Sequence, residues 1–255
     1  MKTFPRLSIF FPTYNEEFVI KKTVAAAAKV ARGIAETYEI IVINDGSTDR
    51  TREIVEDIIS TNSRIKLISH VTNQGYGAAI KSGLAAARYP WVIACDSDGQ
   101  FDLSEIKKFT PFIKDYDLII GYRLKRIDSR YRRFMAFILR LVNLVLFKLN
   151  LRDVDCGFKL IRRSVIKTVG QLTTTSAITV TEFITRAVRL GYRVKEVGVS
   201  HHSRSGGQQT GGKLSVVIKG AKEAIKLWLK QQCQKYHQQS GRHSQDCRPD
   251  YTGFR

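Results

Sequence analysis

Residues 39–49 read Glu-Ile-Ile-Val-Ile-Asn-Asp-Gly-Ser-Thr-Asp. Four consecutive β-branched aliphatics, Ile40 to Ile43, are flanked by polar residues. A run this short and this apolar describes a strand buried on both faces, and the polar cluster Asp45–Asp49 marks its carboxyl end. Outward from it the pattern repeats. Leu7–Phe11, Ile65–Ser69, Trp91–Cys95 and Leu118–Ile120 read as strands. Glu16–Arg32, Asp49–Ser60, Gly77–Arg88 and Leu103–Ile113 read as the helices between them. Such alternation predicts an α/β fold, a mainly parallel sheet with helices on both faces. Ligands in such sheets bind beyond the carboxyl ends of the strands, where Thr13–Glu16, Asp45–Asp49 and Asp96–Gln100 fall.

The second half reads differently. A long helix is expected over Arg130–Leu149, then a loop at Arg152–Gly157, helices near Arg162–Val169 and Thr181–Leu190, and a strand at Val194–Val199. A Gly- and Gln-rich loop covers His201–Gly212, followed by a helix over Leu214–Gln234. The polar residues 239–255 read as a disordered tail. The chain divides into one domain over 1–238, made of halves 1–120 and 121–238, and that tail.

Charge follows the same division. The 255 residues carry a net +19, with 43% hydrophobic and 25% charged side chains, which excludes a disordered chain, a collagen-like chain and a small disulfide scaffold. Residues 1–120 hold 15 basic and 15 acidic side chains; residues 121–255 hold 27 and 8. The whole excess sits in the second half, which therefore faces an anionic partner. Cys95, Cys156, Cys233 and Cys247 form no Cys-x-x-Cys pair and read as reduced thiols. The apolar stretch 134–149 is broken by Arg140, Asn143 and Lys148, and a spanning helix needs about 20 predominantly apolar residues, so a soluble or peripheral protein is expected.

Three constellations carry chemistry. Asp96 and Asp98 follow a buried strand and can reach one crevice. Paired carboxylate oxygens suit Mg²⁺ or Mn²⁺, with Gln100 as a further donor; a solvated Asp-Gly turn is the plain alternative. Asp45, at a strand tip, suits a nucleoside N–H or hydroxyl, whereas Asp49 suits capping the next helix. In Asn73-Gln74-Gly75-Tyr76-Gly77-Ala78-Ala79, two glycines open a helix whose N-terminus favours an anion, or else form a simple turn.

With Pro12-Thr13-Tyr14-Asn15-Glu16 and Asp153-Val154-Asp155-Cys156-Gly157-Phe158-Lys159, these motifs occur in an order and spacing that resembles family 2 glycosyltransferases of the GT-A fold. Within them the chain is most similar to the polyprenyl-phosphate glycosyltransferases, such as the dolichyl-phosphate mannose synthases and glucosyltransferases, over roughly residues 5–230. The resemblance implies an inverting transfer of glucose or mannose from a UDP- or GDP-sugar to a polyprenyl (dolichyl or undecaprenyl) phosphate, by a peripheral enzyme at the cytoplasmic membrane face. It implies that Pro12, Tyr14, Glu16 and Asp45 hold the nucleoside, and that Asp96, Asp98 and Gln100 hold the metal on the diphosphate. Arg123, Arg132 and Arg204 would meet the acceptor phosphate, and Asp153, or Asp155 in its place, would orient the acceptor or act as a base. Glu182 matches a helical acidic residue facing the active site. A surface charge is the plain alternative for each arginine, and an ion pair with Arg152 or Arg162 for Asp153.

The helices at 130–149 and 214–234 combine basic residues with aliphatic and aromatic ones, as at an anionic membrane interface; core packing is the competing expectation. Two further readings stand beside the leading one. A hydroxyl acceptor would require Asp153 as base. A basic nucleic-acid or membrane binder would leave the strand-end carboxylates unexplained, which makes nucleic acid an unlikely partner.

Overall fold

The computed structural model describes residues 2–125, 130–204 and 214–240. Seven strands form one sheet in the order β3-β2-β1-β4-β6-β5-β7. They are β1 (Phe4–Thr13), β2 (Ala35–Asn44), β3 (Ile65–Ser69), β4 (Trp91–Cys95), β5 (Leu118–Arg123), β6 (Phe158–Arg162) and β7 (Val194–Val199). The helices are α1 (Ile20–Ile34), α2 (Thr51–Thr61), α3 (Tyr76–Ala86), α4 (Arg130–Phe147), α5 (Arg163–Val169), α6 (Ile178–Arg189) and α7 (Leu214–Ser240).

The strand period of two sorts the sequence between two layers. On β1, Leu7, Ile9 and Phe11 join a core with α1 and α2; Phe10 faces the other core, with α3, α5 and α6. Ile40 and Val42 of β2 side with the first layer, Ile41 and Ile43 with the second. This alternation inside one aliphatic run is what a strand covered on both faces requires.

Three expectations are corrected. Residues 158–162 form a strand where only a loop leading into a helix is expected. Phe158 and Leu160 enter one core and Ile161 the other, but a five-residue run containing Lys159 and Arg162 is too short and too polar to stand out. This β6 runs antiparallel between β4 and β5. Residues 103–113 form two short 3-10 segments, Leu103–Lys108 and Thr110–Phe112, rather than one helix; Pro111 lacks the N–H that a continuing helix needs. Finally, Cys95 and Cys156 are free, buried thiols, but Cys233 is disulfide-bonded. Nothing in the cysteine spacing signals that bond, and Cys247 lies outside the described residues. So does the expected tail beyond residue 240, and α7 extends past the Gln234 end expected for it.

α4 and α7 each have two faces. On α4, Asn143 and Phe147 are buried while Phe137, Leu141, Leu144 and Val145 are exposed. On α7, Ala224, Leu227 and Gln231 are buried while Ile218, Ile225 and Leu229 are exposed. Among the described residues no helix is long and apolar enough to cross a membrane.

Helix α3 lies close enough to the sheet that a Cβ on Gly83 would sit 2.2 Å from the Phe10 ring. Gly83→Ala should therefore lower stability by about 1–3 kcal/mol, the usual range for overpacking a core. Urea denaturation of both proteins tests this; an unchanged midpoint would contradict the close approach.

Candidate active site

One edge of the sheet collects the motifs. The parallel strands β1, β2, β4, β5 and β7 all end there, and antiparallel β6 begins there, with Phe158 opposite Cys95. The edge thus carries Asp45, Asp96, Asp98, Arg123, Gly157 and the segment 200–204.

Asp96 and Asp98 flank Ser97, whose hydroxyl donates to the Pro12 carbonyl and whose carbonyl accepts from Thr23. Both ends of Ser97 are tied into the fold, which fixes the turn between the two carboxylates. Burial pushes the Asp98 carboxyl up to about 6, and the Asp96 charge adds to it; the Gln100 N–H and Arg204 pull the other way. Asp96 is raised as well, by burial first, against the pull of Lys159, the Tyr76 hydroxyl, Arg123 and Arg204.

Arg204 reaches across the site. Its guanidinium binds Glu16 and stands 3.8 Å from Asp98. The segment leading to it is pinned: Ser200 donates twice to Glu105, His202 N donates to the Gln100 carbonyl, and the Gln100 side-chain amide donates back to the His202 carbonyl at 3.0 Å. Gln100, expected as a metal donor, is thus seen tethering this segment. Burial pushes Glu16 up to about 7, opposed by Arg204. Its Oε2 is buried with no hydrogen-bond partner.

This donor set fits a divalent cation. Two half-buried carboxylates that both hold their protons tightly, beside a third with an orphaned oxygen, call for positive charge, and all are hard oxygen donors of the kind Mg²⁺ and Mn²⁺ take. Among the described residues no group of three or more His, Cys, Asp or Glu closes around a metal.

The remaining expected residues divide. Asp45 is buried, and its carboxylate accepts from Gln74 N at 3.0 Å and Gly75 N at 2.8 Å and meets His70 Nδ1 at 2.6 Å. It shapes the 73–77 loop, a role its strand-tip position did not disclose. Asp49 accepts from Thr51 N at the start of α2, as a cap does. Arg123 and Asp153 face each other in a two-pronged pair, Nε to Oδ2 at 2.6 Å and Nη2 to Oδ1 at 2.7 Å, both nearly buried. Asp153 thus pairs with neither Arg152 nor Arg162. Glu182 is fully buried and accepts from Thr173 N, Thr174 N and Arg186, so it shapes the 173–174 loop. Tyr14 and Pro12 stand at the end of β1, Pro12 buried and Tyr14 half-buried. The side chain of Arg132 lies outside the described residues, as does the loop 205–213.

Three residues inside the quoted motifs had no assigned part. The Tyr76 hydroxyl donates to Asp96 Oδ1 at 3.0 Å. Gly157 packs against the same carboxylate. Lys159 is buried on β6 and binds the Cys156 carbonyl. Tyrosine between two glycines, and lysine after Gly-Phe, were visible in the sequence, but only the tertiary fold brings them to Asp96.

A model of the family described as Glycosyl transferase family 2 matches residues 8–170. A dolichyl-phosphate beta-glucosyltransferase of Trichomonas vaginalis is 28% identical over 236 residues, 87% of this chain and 72% of that protein. An undecaprenyl-phosphate 4-deoxy-4-formamido-L-arabinose transferase of Pseudomonas paraeruginosa is 29% identical over 175 residues, 66% of this chain and 50% of its own length. The chain spans about half the length of most such curated relatives. Among solved structures, glucosyl-3-phosphoglycerate synthase of Mycobacterium tuberculosis, in complex with Mn²⁺, uridine diphosphate and glucosyl-3-phosphoglycerate, superposes with a TM-score of 0.66. The match covers 88% of this chain and 79% of that one at 17% identity, a likeness of fold, which is GT-A.

The raised Glu16 carboxyl has a consequence for stability. Glu16 binds its proton more tightly in the folded chain than in an unfolded one, so folding stability drops as pH rises from 4.5 to about 7. Glu16→Gln removes that drop. Thermal denaturation at pH 5 and pH 8 should show a smaller loss on the alkaline side in Glu16→Gln than in the unaltered chain; equal losses would contradict the burial of this charge.

Proposed function

The chain belongs to glycosyl transferase family 2, and on that premise we propose that it moves a hexose from a nucleotide sugar to a polyprenyl phosphate, with inversion at the anomeric carbon. The observation that carries this reading is the Arg123–Asp153 pair beside the Asp96–Asp98 turn. A carboxylate clasped by both prongs of a guanidinium is a poor proton acceptor. It suits an acceptor that needs no base, and a phosphate monoester is already an anion at neutral pH. The names of the relatives, a dolichyl-phosphate and an undecaprenyl-phosphate transferase, support the same acceptor class.

In this reading Pro12, Tyr14 and Glu16 border the nucleoside, and Asp45 holds the loop that flanks it. Asp96 and Asp98 hold Mg²⁺ or Mn²⁺, which, when bound, neutralises charge developing on the departing nucleoside diphosphate. Arg123, held in orientation by Asp153, and Arg204 present planar forks that bind phosphate with two prongs. They position the acceptor oxygen behind the anomeric carbon. That oxygen forms the new bond as the bond from the anomeric carbon to the diphosphate oxygen breaks. Arg204 changes partners in this scheme: it leaves Glu16 and Asp98 for the incoming phosphate. Arg132, at the start of α4, is a third candidate for that phosphate.

We also place the exposed apolar faces of α4 and α7 at an anionic membrane surface, as a peripheral attachment. Phe137, Leu141 and Val145 project from α4, and Lys219, Lys222 and Lys226 line an open groove of α7 beside Ile218. Basic residues near anionic lipid contribute about 1 kcal/mol each.

A transfer assay tests the reaction. Protein, Mn²⁺ or Mg²⁺ and polyprenyl phosphate are mixed with labelled UDP-glucose or GDP-mannose, and label is counted in the organic phase. Metal-dependent label is expected. Asp98→Ala should lower it at least about a hundredfold, the scale of losing one charge-stabilising group. Arg123→Lys should raise the KM for the lipid more than that for the donor. Nucleotide binding without transfer to lipid would shift the reading to a hydroxyl acceptor. Co-sedimentation with anionic vesicles tests the attachment. Burying a large apolar side chain contributes about 1.5–3 kcal/mol, so replacing Phe137 and Val145 by Asp should weaken sedimentation at least about tenfold, and unchanged sedimentation would exclude α4 from the contact.

A further inference from the structure

The motif Asn73–Ala79 is not accounted for by the donor-site reading. Its two glycines in front of a helix suggest a cradle for an anion, but five of its backbone donors already have partners within the protein. Gln74 N and Gly75 N donate to Asp45, Gly77 N donates to the Thr175 carbonyl at 3.0 Å, and Ala78 N and Ala79 N donate to the Gly75 carbonyl. What the loop offers the site is a side chain, Tyr76.

The backbone on both sides of Tyr76 is held in place, while the residue itself is 37% exposed. Gly75 has φ +96°, a conformation that strains any residue with a Cβ. A Cβ on Gly77 would meet Thr179 Oγ1 at 2.1 Å and the Ser176 carbonyl at 2.4 Å, so α3 starts in direct contact with the 175–179 segment. That segment is itself held: Glu223 of α7 accepts from Thr175 N and Ser176 N. Tyr76 is thereby clamped between Asp45 on one side and Thr175 on the other. Its hydroxyl reaches Asp96 Oδ1 at 3.0 Å.

The second oxygen of Asp96 is bounded from the opposite direction. A Cβ on Gly157 would lie 1.8 Å from Oδ2, and Asp96 N donates to the Gly157 carbonyl at 3.0 Å. One carboxylate oxygen is held by a hydroxyl donor and the other lies against the glycine backbone.

We infer that Tyr76 is a positioning residue for Asp96, and that the Gly75-Tyr76-Gly77 and Gly157 motifs together set the orientation in which this carboxylate meets a divalent cation. The inference rests on the reading of Asp96 and Asp98 as the cation ligands and adds the residues that orient one of them. Partners of metal-ligating side chains change metal affinity by about 10–100-fold when removed, and Tyr76 is such a partner.

The test compares Tyr76→Phe with the unaltered chain. Mn²⁺ binding is followed by the electron paramagnetic resonance of free Mn²⁺, with UDP and with GDP, and nucleotide binding is measured separately without metal. Tyr76→Phe should weaken Mn²⁺ binding in the presence of nucleotide about tenfold and leave metal-free nucleotide binding within about twofold. The donor KM should rise, with kcat recovered at saturating Mn²⁺. Gly157→Ala, which pushes on the other oxygen, should weaken Mn²⁺ in the same direction. Equal Mn²⁺ affinity in Tyr76→Phe would overturn the inference. So would equal weakening with and without metal, which marks a merely structural role, or unchanged affinity with a lower kcat. If the unaltered chain binds no Mn²⁺ with either nucleotide, the cation-site reading falls and takes this inference with it; if it binds and Tyr76→Phe matches it, only the inference falls.

Discussion

Two half-buried carboxylates two residues apart at the end of a strand repel each other, and neither is well solvated. The Asp96–Asp98 turn is in that position, and both groups hold their protons more tightly than carboxyls in water. The surrounding chain can be understood as the response. Lys159 enters from the antiparallel strand β6, and Arg204 from a segment beyond β7. These cations come from the second half of the chain, whereas the carboxylates belong to the first. The basic excess of residues 121–255 is therefore not only a surface property; part of it is turned inward to meet a local deficit of positive charge.

That division explains which parts were legible in the sequence. Strands β2 and β4 show themselves because each is a short apolar run followed by polar residues, and the spacing between the strands leaves room for helices. The turn Asp96–Gln100 is readable because it follows such a strand. Strand β6 is not, because Lys159 faces the Asp96 carboxylate rather than a core, and two of its five residues, Lys159 and Arg162, are cationic. The helix expected over Leu103–Ile113 fails for a local reason, the missing N–H of Pro111. Partnerships are the least legible layer. Arg123 and Asp153 are 30 residues apart, Glu16 and Arg204 are 188 apart, and no pattern in the chain announces either pair. Asp45 and Glu182 were expected to face the site, yet each carboxylate turns to loop N–H groups. Acidic residues at strand and helix ends have many backbone donors within reach, and residue type alone does not choose among them.

The two long helices of the second half each have a buried and an exposed face. Core packing was one expectation for α4, and it holds on one face. Asn143 and Phe147 are inside, whereas Phe137 and Val145 are 63% exposed. The exposed residues of α4 mix aliphatic and aromatic groups with Arg133 and Arg140, on the half of the chain that carries the whole net charge. α7 repeats the arrangement, and its Glu223 reaches inward to the loop that contacts the start of α3. An outer helix and the loop that contacts the start of α3 are therefore joined by one side chain.

The acceptor question turns on how a carboxylate is held. A general base must have an oxygen directed at the proton it removes, and a proton affinity matched to the task. Asp153 meets the Arg123 fork through both oxygens, an arrangement that stabilises its anion and directs it away from proton transfer. A sugar or protein hydroxyl would have to separate this pair before it could be activated. A phosphate need only share the guanidinium, exchanging one anion for another at a group that is always charged. Arg204 and Arg123 are each paired with a carboxylate, Glu16 and Asp153, and under the proposed reading an incoming phosphate would replace those carboxylates. A nucleophile that arrives already ionised would need no more from the protein than that.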